Sequence, residues 1–140
     1  MKHPNGRKLF VTCDFPPVLG GQANYFKNLW LERDPENDRL LLPESCRAFC
    51  ASSGLSNVRF ARLPSGETGF ARLGRVASLF FALLGQCLVF RPAEIHAGQI
   101  LSAGLCCRLL KPVFRFRYVL YLFGADVMEF TRFRPFRRLM

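Results

Sequence analysis

Lys8-Leu9-Phe10-Val11-Thr12 runs into Cys13-Asp14-Phe15-Pro16-Pro17-Val18-Leu19-Gly20-Gly21-Gln22, and these fifteen residues decide the fold. The first five read as a buried strand. Consecutive prolines fix φ and keep the following loop from becoming helix. Gly20-Gly21 then lets the backbone turn and approach a ligand closely, opening a helix over Gln22 to Leu31. The unpaired N–H groups of that helix start face whatever sits above the loop. A tight strand-to-helix connection that binds nothing explains the same residues. The spacing is neither the Gly-x-Gly-x-x-Gly of a dinucleotide fold nor the Gly-Lys-Ser/Thr of a P-loop, so both of those phosphate motifs are excluded as written.

Outward from this stretch, strand patterns fall at Lys8 to Thr12, Arg39 to Leu42, Val58 to Ala61, Glu94 to Ala97 and Tyr118 to Leu122. Helical patterns at Gln22 to Leu31, Phe70 to Phe90 and Ser102 to Leu110 lie between them. Alternation of this kind predicts an α/β fold, a Rossmann-like parallel sheet with helices on both faces. In such a sheet ligands gather beyond the carboxyl ends of the strands. The loops Asp14 to Gly21, Gly98 to Ser102 and Phe123 to Asp126 are expected to converge there. Asp34 to Asp38 and Pro64 to Gly69 are polar turns that separate elements within one domain.

The chain has 140 residues, 50% hydrophobic and 21% charged, which places it among globular domains. Its formal charge is +10, and sixteen of the twenty basic residues are arginine, six of them between Arg115 and Arg138. Arg forks suit phosphate, so nucleic acid, anionic lipid headgroups and phosphorylated sugars are all admissible on charge alone. The start, Met1 to Arg7, lacks the basic-then-apolar design of a signal peptide, so six free cysteines in a reducing cytoplasm are expected. Cys46-x-x-x-Cys50 and Cys106-Cys107 lack the partner spacing of a zinc site, and no metal is expected.

Val76 to Phe90 is a mostly apolar run of fifteen residues between Arg75 and Arg91, shorter than the roughly 20 residues of a membrane span. Helical spacing predicts that Leu73, Val76, Ala77, Phe80, Leu84, Cys87 and Leu88 pack on the sheet. Leu79, Phe81, Ala82 and Val89 are left on the opposite face. With Arg72 and Arg75 they suit an anionic membrane surface, with Arg72, Arg75 and Phe81 as contacts. Cover by a partner or by further chain is the other reading. The tail Phe130 to Arg138 alternates Arg and Phe in a way that suits single-stranded nucleic acid, but no recognition motif accompanies it. A solvated helix face with buried Phe is preferred. His96, after a strand, is expected as a satisfied core residue rather than a catalyst.

The run Leu9 to Trp30, with Phe15-Pro16-Pro17, Gly20-Gly21, Tyr25 and Asn28-Leu29-Trp30, resembles the opening of the retaining two-domain glycosyltransferases of GT-B architecture, in a family 4-like form. Glu94 to Gln99, Ala103-Gly104 and Tyr118 to Asp126 look like the middle and end of that family's N-terminal domain. The resemblance implies an acceptor-side domain, incomplete as the N-terminal half of a GT-B fold, that contacts substrate through Gly20, Gly21, Gln22, Gly98, Gln99, Gly124 and Asp126. It also implies a nucleotide sugar as donor substrate, no resident cofactor, and a glycan or lipid acceptor. Most nucleotide contacts, and the family's paired glutamates, would come from a C-terminal domain, so no transfer is expected from these residues alone. The family has His where Phe123 stands, and Phe can neither donate a hydrogen bond nor carry charge. Asp126 either orients a sugar hydroxyl or caps a helix. The leading expectation is thus part of a hexosyl transferase. Second is a non-catalytic module that binds anionic lipid or complements a separate half, and third a basic nucleic-acid-binding domain.

Overall fold

The computed structural model describes residues 6–34 and 36–124. Asp126, the Phe130 to Arg138 tail and the arginines beyond Arg117 lie outside the described residues. The elements in chain order are β1 (Lys8–Val11), α1 (Gly21–Leu31), β2 (Arg39–Pro43), α2 (Arg47–Ser52), β3 (Val58–Ala61), α3 (Gly69–Val89), β4 (Glu94–Gly98), α4 (Leu105–Phe114) and β5 (Arg117–Tyr121). A 3-10 turn over Glu44–Cys46 leads into α2, and a π-helical segment over Gln99–Gly104 leads into α4. The strands form one sheet in the order β3-β2-β1-β4-β5, every pair parallel. This is the doubly wound, Rossmann-like α/β arrangement, with its reversal of strand order between β1 and β4.

Strand geometry explains the two layers of core. Alternate side chains point to opposite faces. Leu9, Val11, Leu41, Ile95 and Ala97 therefore join one cluster with Leu79, Leu83 and Cys87 of α3 and Cys106, Cys107 and Leu110 of α4. Phe10, Leu40 and Leu42 join the other with Phe26 and Trp30 of α1 and with Cys46 and Cys50. On α1 the buried positions Ala23, Phe26 and Trp30 repeat at helical spacing, and Trp30 meets Phe10 edge-to-face at 5.7 Å between centroids.

Three expectations change. The segment Glu44–Ser52 is helical, because Cys46 and Cys50, one turn apart, are apolar anchors with Phe49 packed beside them. The helix after β4 runs past Leu110, with Pro112 inside it. Proline removes one N–H, and so near the C-terminus it costs a single ladder bond before Arg115 closes the helix in the left-handed conformation.

The third change concerns α3, which has 21 residues and a mean hydropathy of 1.4 and is long and apolar enough to cross a membrane by length and composition. It starts at Gly69, where Thr68 caps it by accepting from the Ala71 N–H at 3.2 Å. Its inward face is rotated from the expected one. Leu79, Leu83 and Cys87 are buried, with Val76 and Phe80 beside them, whereas Leu73, Ala77 and Leu88 are exposed. The run is apolar nearly all round, so periodicity alone did not select a face. Arg39 of β2 helps select it, donating to Gln86 at 2.9 Å and lying 4.2 Å from the Phe90 ring centroid.

Candidate functional site

The loop leaving β1 is held by its own side chains. The Thr12 hydroxyl accepts from the Asp14 N–H at 3.1 Å and lies the same distance from the Asp14 carbonyl. Phe15 is buried as the anchor of the loop, and the Val18 N–H returns to its carbonyl at 3.2 Å. Beyond that turn the chain is open, with Leu19 96% exposed. Gly20 is extended and its carbonyl accepts from the Asn24 N–H at 3.1 Å, starting α1. No side chain caps this helix start. A Cβ placed on Gly20 or on Gly21 would meet nothing within 4 Å. The fold therefore does not require glycine at either position, since one is extended and the other begins a helix.

The loop leaving β4 meets it. Gln99 takes a positive φ of 77°, a conformation that costs a side chain about 1 to 3 kcal/mol, and it opens the π-helical segment. Its amide nitrogen donates to the Asp14 carboxylate, while its amide oxygen accepts from the Ser102 hydroxyl at 3.0 Å. Ser102 in turn accepts a long contact of 3.9 Å from the Cys13 thiol. The two loops at the reversal of strand order are thus joined by one polar network.

Burial pushes the Cys13 thiol up to about 11, against a smaller downward pull that comes first from the Ser102 hydrogen bond and then from the charge of Arg75. Cys13 is a neutral thiol at pH 7, and burial does the same to Cys87 and Cys106, at about 11, and to Cys107, at about 12.

Gly98 is buried. A Cβ there would lie 2.6 Å from the Phe26 ring and 2.9 Å from the Thr12 hydroxyl. Its glycine is explained by the close seat of α1 on β4. Phe123, in the third loop, packs on Tyr25 and Phe26 of α1 with centroids 5.7 and 6.1 Å away. The ring joins the third loop to the first turns of α1, and Gly124 beside it is exposed. Gln22 is half-buried in the first turn of α1, and Arg72 and Phe81 lie exposed on α3.

His96 faces α1. It stacks on Phe10 at 4.4 Å, its Nε2 lies 2.7 Å from Glu94 and its Nδ1 lies 2.9 Å from the Tyr121 hydroxyl. The carboxylate calls for the proton on Nε2, leaving Nδ1 to accept from Tyr121. Burial holds its pKa below the usual histidine value despite Glu94. With both ring nitrogens occupied, His96 serves the core.

Two concave regions lie away from the strands' carboxyl ends. One of about 510 Å³ is lined by Arg7, Lys8 and Arg33 together with Glu32, Asp34 and Asp38, a balance of charge that selects no ion. The other, of about 360 Å³, lies between the ends of α3 and α4. Among the described residues, no group of three His, Cys, Asp or Glu side chains could hold a metal ion.

Asp14 and Ser102 were not singled out as site residues from sequence, and Arg75 was expected only as a membrane contact. Asp14 carried a usable signal, being a carboxylate just past a buried strand. Ser102 enters only through the π-helical turn. Among the described residues, the assembled edge offers free N–H groups at a helix start and one carboxylate steered by an amide. Such a set suits a ligand with hydroxyls and an anionic group. No family model matches the chain, and no curated protein matches it.

Proposed function

We propose that this domain is the acceptor-side part of a hexosyl transferase, working with a donor-binding domain of the same or another chain on a cytoplasmic nucleotide sugar. The observation that carries the proposal is the Gly20-Gly21 turn. Two glycines stand where the fold requires neither, open to solvent, at the start of α1 and above the reversal of strand order. Close approach of a ligand to the backbone accounts for their lack of side chains. The helix-start N–H groups are suited to the negative charge that develops on a departing diphosphate.

Asp14, oriented by Gln99, would accept a hydrogen bond from a sugar or acceptor hydroxyl. The family likeness of the Leu9 to Trp30 and Tyr118 to Asp126 segments supplies the reaction class. By the family likeness Phe123 stands where histidine is usual, and its ring, packed on Tyr25 and Phe26, would offer an aromatic wall in place of a polar contact. Glycan and lipid acceptors both fit this assignment.

The test is calorimetric titration of the chain with pyrophosphate, comparing wild type with Gly21→Val. The open space at Gly21 predicts an unchanged circular dichroism spectrum and at least a tenfold loss of affinity. Equal affinity in the two proteins, or no binding by the wild type, overturns the site. Turnover of a nucleotide sugar by the purified chain would show that the donor contacts are not in a separate domain.

A further inference from the structure

We infer that the outer face of α3 and α4 is a docking surface for an anionic membrane, a conclusion that stands apart from the sugar-transfer reading. On α3 the exposed residues Phe70, Leu73, Ala77, Phe81 and Leu88 fall within about 80° of arc at 3.6 residues per turn. Phe70 is 90% exposed and Phe81 67%. On α4 a second apolar stripe, Leu105, Leu109 and Val113, repeats every fourth residue and is also exposed. The two stripes adjoin, because Leu88 and Val113 line the same cleft between the helix ends. Apolar surface on two neighbouring helices is more than one helix leaves by accident.

Charge identifies the occupant. From Thr68 to Gly124 the chain has seven basic residues and a single acidic one, Glu94. That carboxylate belongs to the other side of the sheet, where it meets His96 and lies 4.0 Å from Lys8. Arg91 lines the cleft between the stripes, exposed Arg108 lies on α4 and exposed Arg115 closes its C-terminal end. Among the described residues the rim of this apolar face is cationic except for Glu67, just before the start of α3, and the face matches the boundary between acyl chains and anionic headgroups.

A second copy of this chain is disfavoured by the +10 charge that each copy would bring to the contact. Crossing the bilayer is disfavoured by Leu79, Leu83 and Cys87, which fix the opposite side of α3 to the sheet. Both helices would lie in the plane of the interface, with the sheet above them.

The test is cosedimentation of the full chain with phosphatidylcholine vesicles, with and without phosphatidylglycerol, at low and high salt. Phe81→Ser and Leu109→Ser/Val113→Ser change exposed side chains, and each should lower partitioning onto the anionic vesicles at least tenfold with unchanged circular dichroism. Arg91→Ala/Arg108→Ala should lower it and flatten its salt dependence. Leu31→Ser is the control, an equally exposed apolar change on α1 beneath the other face of the sheet, and should bind as wild type.

Equal binding to neutral vesicles, or serine variants that bind as wild type, would overturn the proposal in favour of nonspecific attraction. A loss with Leu31→Ser as large as with Phe81→Ser would do the same. So would single-stranded DNA that binds the wild type and the serine variants alike and displaces the vesicles, or a solution dimer that Phe81→Ser dissociates.

Discussion

Replacing Gly98 by alanine tests how tightly α1 is seated on the sheet. The added methyl would lie 2.6 Å from two carbons of the Phe26 ring and 2.9 Å from the Thr12 oxygen. Carbon atoms settle at about 3.5 to 4.0 Å, so the ring must retreat by roughly 1 Å. Phe26 is 1% exposed and packs in the same cluster as Phe10, Phe15 and Trp30, which leaves it no free volume to enter. Thr12 is equally confined, since its hydroxyl holds the Asp14 backbone.

Overpacking of this kind costs about 1 to 3 kcal/mol, and the absence of slack on both sides argues for the upper end. For a chain of this size about 3 kcal/mol corresponds to a drop of roughly 10 °C in Tm. Urea denaturation and thermal melts followed by circular dichroism measure it. Phe26→Leu in the Gly98→Ala background should recover part of the loss, because the shorter side chain vacates the colliding ring edge. A Gly98→Ala protein as stable as the wild type, or a double variant showing no coupling, would refute the packing explanation. Gly98 would then return to the list of ligand contacts.

Two further outcomes are expected from residues nearby. His96 has a folded pKa below its unfolded value, so the unfolded chain binds the extra proton as pH falls below about 6.5. Stability therefore falls with pH in that range, by at most about 1.4 kcal/mol per unit. His96→Phe should remove this component when denaturation curves at pH 7 and pH 5 are compared. Gln99→Gly relieves the positive φ that Gln99→Ala retains, while both lose the links to Asp14 and Ser102. The glycine variant should be the more stable by about 1 kcal/mol, reversing the usual order of the two residues.

The sheet was legible because each strand carries its own evidence. Leu9 to Val11 and Leu40 to Leu42 are short apolar runs between turn residues, Val58 to Ala61 is a similar run broken by Arg59, and their alternation with helices implies parallel pairing. Strand order followed from the same pattern only as far as topology rules reach. The short helix at Glu44–Ser52 is not legible because its buried positions are two cysteines, whose spacing excludes a zinc site but does not by itself announce an apolar face.

The face of α3 was misassigned for a different reason. A helix apolar on nearly every side has no preferred orientation until a specific partner, here Arg39 on Gln86 and Phe90, holds one side down. The candidate site was legible as three loops. The bonds joining two of them, Gln99 to Asp14 and Ser102, depend on a backbone angle that no residue pattern announces. Gly98 shows the opposite case, a glycine whose neighbourhood suggested ligand contact but whose immediate surroundings are a phenyl ring and a threonine.

The central place of β1 governs how this chain takes shape during synthesis. Its first partner, β2, follows after one helix, but its second, β4, is completed about 55 residues later than β2. At roughly 5 to 20 residues per second, that interval lasts about 3 to 11 s. For that time one edge of β1 has no hydrogen-bonding neighbour, and Leu9, Val11 and Leu41 await the helices that cover them. An unpaired edge beside bare apolar side chains is the condition under which nascent chains pair with one another. The central strand of the finished sheet is thus the one that must wait longest for its second neighbour.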